Sequence, residues 1–281
     1  MSVGKKEYLS KGMRCAAQHA RMGPGREGDD RMAGYDSKLC VAEAFASLVQ
    51  TMPLERVTVG MVAERIGKHR KTFYYHFSDR GEVITWLFRY DLAQGLKALF
   101  DEDLLVCESA GEGVYPTLPF YVRNIQPDGR LYNAPFFDEL SRTLECRRAY
   151  YRAVLSVRGP GSLEEYLYRL YRPQIKQDIM LLIERRLADE GPLERAVEQE
   201  LLSGGSNVDF LAEFFTGAFI QRMVKRLLDE PCQRSLEEVR PYENIVHDSL
   251  ALLIERAVNS RRQTGGWTKG GQPGSPPFAV E

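Results

Sequence analysis

The sequence predicts an all-α fold, with a small three-helix unit carrying a helix-turn-helix near the N-terminus and a larger helical bundle behind it. Three observations predict it. Thr58 to Phe77, TVGMVAERIGKHRKTFYYHF, reads as two short helices around a glycine turn, the second opening in a cationic, aromatic cluster. Beyond it, apolar residues recur at helical spacing and no stretch shows convincing strand alternation. With 281 residues, 43% of them hydrophobic, the chain is long enough for a small unit and a larger one with its own core.

Residues 1–35 are expected to form a flexible N-terminal tail, polar and glycine-rich around MGPGREGDD, in which Met32 offers an alternative start. Gly23 to Gly28 satisfies G-x-G-x-x-G, but no strand precedes it and no helical pattern follows, so it does not read as a nucleotide loop. Asp36 or Ser37 can cap a first helix that places Leu39, Ala42, Phe45, Ala46 and Val49 on one side and stops at Met52-Pro53. Thr58 can cap the next helix, whose buried face is Val59, Val62, Ala63 and Ile66. Gly67 falls where that helix must end, because glycine reaches the left-handed conformation of a C-cap without a Cβ clash. The third helix then opens with Lys68, His69, Arg70 and Lys71, without an acid, and continues through Thr72, Phe73, Tyr74, Tyr75, His76 and Phe77. Cations and hydroxyls at a helix start suit phosphates and base edges, although an isolated basic run is most often a solvated turn.

Asp79, with Glu82 three residues on, opens a long helix whose apolar side includes Val83, Leu87, Phe88, Leu92, Leu96 and Leu99. A further helix is expected from Phe136 to Ser156, with Phe137, Leu140, Leu144, Tyr151 and Leu155 as its stripe. After the loop RGPGS, Ser162 and Glu165 make a capping box for a helix that Pro173 should kink. Phe210 to Leu228 and Pro241 to Val258 carry broad apolar stripes that suit either a dimer interface or a monomer core. Leu211, Phe215, Phe219, Ile245, Leu250 and Leu253 are the interface candidates. Phe120, Tyr121, Phe136, Tyr150, Tyr168 and Tyr171 could line an effector pocket between helices, and core packing explains each equally well. Residues 261–281, with GGWTKGGQPGSPPF, read as a flexible tail rich in glycine and proline.

Net charge is only −1, so the basic character is local, as in a protein with a small DNA-facing surface and a larger body. Five scattered cysteines without C-x-x-C spacing point to reduced thiols. No apolar run is long enough to span a bilayer and no signal-peptide core is present, so no membrane association is expected. Enzyme chemistry is not expected. His19, His69, His76 and His247 lack metal-ligand spacing, neither G-x-S-x-G nor H-E-x-x-H occurs, and acids such as Glu164 and Glu165 read as a solvated helix face. No metal and no cofactor is predicted.

From Lys38 to Leu87 the chain resembles the N-terminal domain of the TetR family of bacterial transcriptional regulators. The resemblance rests on the first helix, Val57-Thr58-Val59, Val62-Ala63, Ile66-Gly67, the block Thr72 to Phe77, Arg80 and Val83. It implies a DNA-binding domain over 36–82 and a C-terminal regulatory and dimerisation domain over 83–260. It also implies base contacts from Arg70, Lys71 and Tyr75 and phosphate contacts from Thr58, Thr72, Tyr74, His76 and Arg80, with Phe73 and Phe77 packing the core. Lys68, His69 and Gly60 depart from the pattern: the family usually has a small apolar residue and a Ser or Thr cap at the first two, and some relatives have a base-reading arginine at the third. Tyr150-Tyr151, Val154-Leu155, Gly161-Ser162-Leu163 and Tyr166-Leu167 resemble the C-terminal domain of a subgroup that includes the dihydroxyacetone-kinase-operon activator. The resemblance implies a cytoplasmic, bacterial, dimeric regulator, nucleoid-associated when bound to a double-stranded DNA operator. Such a protein is usually a repressor under small-molecule control; the alternative is a partner-binding coactivator of the same fold.

Overall fold

The computed structural model describes residues 29–109, 111, 113–124, 134–187, 206–229, 249 and 252. The fold is all-α, with eight α-helices and one two-residue strand pair among these residues. The N-terminal tail to residue 28, the C-terminal tail over 261–281 and all but residues 249 and 252 of the helix expected over 241–258, Ile245, Leu250 and Leu253 included, lie outside the described residues.

Helix α1, Asp29–Val49, starts ahead of the cap expected at Asp36 or Ser37. The chain divides into two compact units inside this helix, between Cys40 and Val41, and the packing that follows belongs to the second. There Val41, Ala42, Phe45, Ala46, Leu48 and Val49 are buried. The helix ends as Thr51 Oγ1 donates to the Leu48 carbonyl at 2.9 Å, two residues before Pro53. Two short helices follow, α2, Val59–Arg65, and α3, Arg70–His76.

The long helix α4, Arg80–Leu99, begins at Asp79, whose carboxylate accepts from Glu82 N–H at 2.9 Å, while Glu82 reaches back to Ser78 N–H at 2.7 Å. That is the expected reciprocal cap, closed one residue earlier on the return side. Midway along α4, Arg89 is fully buried. Its guanidinium donates to Glu108 Oε1 (2.8 Å), Tyr166 Oη (3.1 Å) and the carbonyls of Leu118 (2.6 Å) and Tyr115 (3.3 Å), and it lies 4.7 Å from the centroid of Phe120. A buried charge needs such a set of partners, since burial alone would favour the neutral form.

Strands β1, Leu105–Val106, and β2, Tyr121–Val122, form an antiparallel pair with Leu105 opposite Val122 and Val106 opposite Tyr121. A ladder this short leaves no alternation to read in the sequence. Four further helices complete the body: α5, Ala134–Cys146; α6, Arg148–Leu155; α7, Leu163–Leu187; and α8, Ser206–Asp229. The single helix expected over 136–156 is broken at Arg147, whose backbone leaves the helical region (φ −121°, ψ 40°). The apolar period runs through the break and hides it from the sequence; the Arg147 side chain is held elsewhere by Glu43 and Asp91. Ser162 caps α7 as expected, accepting from Glu165 N–H at 3.2 Å, and the helix continues past Pro173, which is exposed. Among the described residues no helix is long and apolar enough to cross a membrane.

Candidate nucleic-acid interface

The turn between α2 and α3 is fixed by backbone geometry that the sequence specifies. Thr58 Oγ1 accepts from Met61 N–H at 3.3 Å, satisfying one of the unpaired donors at the start of α2. At the other end Gly67 sits at φ 64°, Lys68 N–H donates to the Ala63 carbonyl at 2.9 Å and Gly67 N–H to that of Glu64 at 3.0 Å. This pair of bonds is a Schellman motif, and its left-handed residue favours glycine. The chain leaves it toward α3 without a side-chain cap, since His69 at the cap position makes no such bond.

Helix α3 has two unlike sides. Phe73 is buried and meets Phe77 at 6.0 Å between ring centroids; Phe77 in turn meets Trp86 of α4 at 5.6 Å, so the aromatic packing expected of both residues is what seats the helix. On the other side Arg70, Lys71, Tyr74 and Tyr75 are exposed, the two tyrosines by 59% and 82%. Positions i, i+1, i+4 and i+5 share one helix face, which is why the four side chains emerge together. Lys68 and His69 are exposed just ahead of them, and α3 carries no acid. Exposed phenol rings beside guanidinium and ammonium groups offer hydrogen-bond donors and flat apolar surface, which suit base edges, thymine methyls and phosphates.

The residues assigned to phosphates occupy varied settings. Thr58 is exposed, and because its oxygen accepts from the backbone its O–H can still donate. Thr72 is half-buried, and so is His76, whose ring stands edge-on to Tyr75 at 4.9 Å. Arg80 has a structural task that sequence reasoning missed: its Nη1 donates to the carbonyls of Leu54 (3.1 Å) and Val57 (2.8 Å), closing the short 3-10 turn Leu54–Arg56 against the start of α4. Gly60 also has a local reason. A Cβ placed there would stand 2.8 Å from Nη2 of Arg70, so the missing side chain leaves room for the guanidinium that α3 lays across α2.

The aromatic residues proposed for an effector pocket divide into three places. Phe120, Tyr121, Phe136 and Tyr171 are buried together, with centroid separations of 4.7 Å for Tyr121–Phe136 and 5.8 Å for Phe136–Tyr171. Burial holds the Tyr171 phenol well above its ordinary pKa. Tyr150 packs instead between Phe45 and Tyr151, and Tyr168 is half-buried on α7, bonded to Glu213 of α8. On α8, Leu211, Phe215 and Phe219 are half-buried, Phe219 against Phe137 at 4.3 Å. The exposed aromatics of that helix are Phe210 and Phe214, at 64% and 58%, stacked on each other at 6.2 Å. Among the described residues no group of three or more His, Cys, Asp or Glu side chains could hold a metal ion.

Neither a protein-family model nor a curated protein sequence matches the chain. Among solved structures it is similar to the dihydroxyacetone kinase operon activator DhaS at 15% sequence identity, over 78% of this chain and 96% of that one, with a TM-score of 0.41. A likeness of that size carries no argument about chemistry, which rests on α3 and its surroundings.

Proposed function

We propose that this chain is a sequence-specific DNA-binding transcriptional regulator, a cytoplasmic protein of the TetR type that acts as a homodimer on a double-stranded operator. The observation that carries the reading is the two-sided third helix: Phe73 and Phe77 buried, with Arg70, Lys71, Tyr74 and Tyr75 exposed in one acid-free row. An exposed cationic, aromatic helix face suits major-groove recognition. The residues 36–82 form the reading domain and 83–260 the regulatory and dimerisation domain; the regulator works as a repressor whose small-molecule effector binds the body, and it needs no cofactor.

A second reading has an observation of its own. The stacked, exposed Phe210 and Phe214 favour a body that binds another protein, with the regulator serving as a coactivator that has little operator affinity by itself. Selection of duplexes from a random pool by the purified protein, followed by titration of the winner at two salt concentrations, separates the two. Enrichment of a palindrome supports the operator-binding regulator; salt-sensitive binding without a motif, or none, favours the coactivator.

A further inference from the structure

We propose that Arg147 is a positioning residue: from the break between α5 and α6 its one guanidinium joins Glu43 of α1 to Asp91 of α4 and so fixes how the DNA-reading helices sit on the body. The functional consequence rests on the DNA reading above; the geometry does not.

The arrangement is a two-sided fork. Arg147 Nη1 donates to Glu43 Oε2 at 2.8 Å and Nη2 to Glu43 Oε1, a bidentate pair, while Nε bonds Asp91 Oδ2 at 2.8 Å. A planar guanidinium can bind one carboxylate through its two terminal nitrogens and a second through Nε; a lysine cannot do both. Tyr151 Oη donates to the same Asp91 oxygen at 2.8 Å, which ties the second carboxylate to α6 as well. Two carboxylates keep Arg147 charged despite its partial burial, whereas burial makes Asp91 harder to ionise than a free carboxyl even with two donors. Beside the ion network, Phe45 of α1 meets Tyr150 of α6 edge-on at 6.5 Å, giving the same seam an apolar half. The break in the helix has a use here: the residue that leaves the helical region is the one whose side chain bridges three elements.

Operator half-sites lie about one helical turn, roughly 34–36 Å, apart, so a dimer selects spacing through the orientation of its two reading units. A loosened seam should therefore relax spacing while leaving the bases read by α3 unchanged. That separates a positioning role from general stability.

The test uses the full chain and three variants: Arg147→Met, Arg147→Lys and Glu43→Gln, the last altering a carboxylate at the rim of the network and keeping the proposal testable if Arg147→Met fails to fold. Binding is measured to the selected palindrome and to versions with one base pair added or removed between half-sites, and hydrogen exchange is followed without DNA. The expected result is that the wild type disfavours altered spacing by roughly tenfold and the variants by less than about threefold, with unchanged half-site preference. Amides of residues 41–49 should exchange faster in the variants while those of α7 do not. Unchanged spacing preference with unchanged exchange overturns the proposal, as does faster exchange throughout the chain. If the wild type enriches no duplex the DNA reading fails, and the exchange pattern alone then decides the role of Arg147.

Discussion

If α3 reads DNA as proposed, Arg70 and Tyr75 divide the work of recognition from Arg80 in a way that single substitutions can expose. Both project from the exposed row of α3, so replacing either with alanine should relax preference at one base position by about 1–3 kcal/mol, read as the difference between matched and mismatched duplexes. Arg80 holds the carbonyls of Leu54 and Val57 through one nitrogen, and its other donors remain for a phosphate, so Arg80→Ala should weaken all sequences alike and also lower thermal stability. Equal behaviour of the Arg70 and Arg80 variants on specific and random DNA would sink this division of roles. Carboxyl groups of the body set a pH dependence. Burial, as the largest influence, raises the pKa of Asp91, Asp138 and Glu139. A carboxyl whose folded pKa lies above its unfolded value, near 4, binds its proton more tightly when folded. Its contribution to stability is complete below the unfolded value and is lost as pH rises through the folded one. These groups should thus add to melting temperature as pH falls toward the unfolded carboxyl value near 4, and less steeply in Asp91→Asn; an identical slope in that variant would exclude Asp91 as a source.

At the scale of elements, the joints were more legible than the lengths. Thr58, Gly67, Asp79 and Ser162 each occupy the capping position their side chain or backbone freedom suits, because capping is a local transaction between a residue and the next turn. Gly67→Ala should lower stability by about 1–2 kcal/mol, since its φ of 64° places a Cβ against the following carbonyl; denaturant unfolding that shows no change would mean the turn relaxes out of its Schellman geometry. The break at Arg147 and the pair β1–β2 were not legible. One is invisible to a periodicity that continues across it, and the other is two residues long and held by Val106 and Leu104 carbonyls facing β2 and its neighbours.

At the scale of the whole molecule, α8 carries two of the exposed large apolar side chains among the described residues. Phe210 and Phe214 are stacked and exposed while Phe219 packs inward on Phe137, so the outward stripe of this helix differs from the one that a broad apolar pattern suggested. If that face joins two copies, Phe210→Glu with Phe214→Glu should shift sedimentation from dimer to monomer and abolish palindrome binding without lowering the melting temperature of the monomer. A double variant that remains dimeric would move the interface elsewhere on the chain and leave these rings as a contact for another protein.

The sequence by itself determined the all-α class, the glycine turn between α2 and α3, the caps, and the row of cations and tyrosines on α3, because each follows from periodicity or from neighbours a few residues apart. Tertiary structure alone decided which aromatics share a core, what Arg80 and Gly60 are for, and that Glu43, Asp91 and Arg147 meet. Those contacts join side chains from helices far apart in the chain, and their placement depends on how the helices pack, which no local pattern encodes.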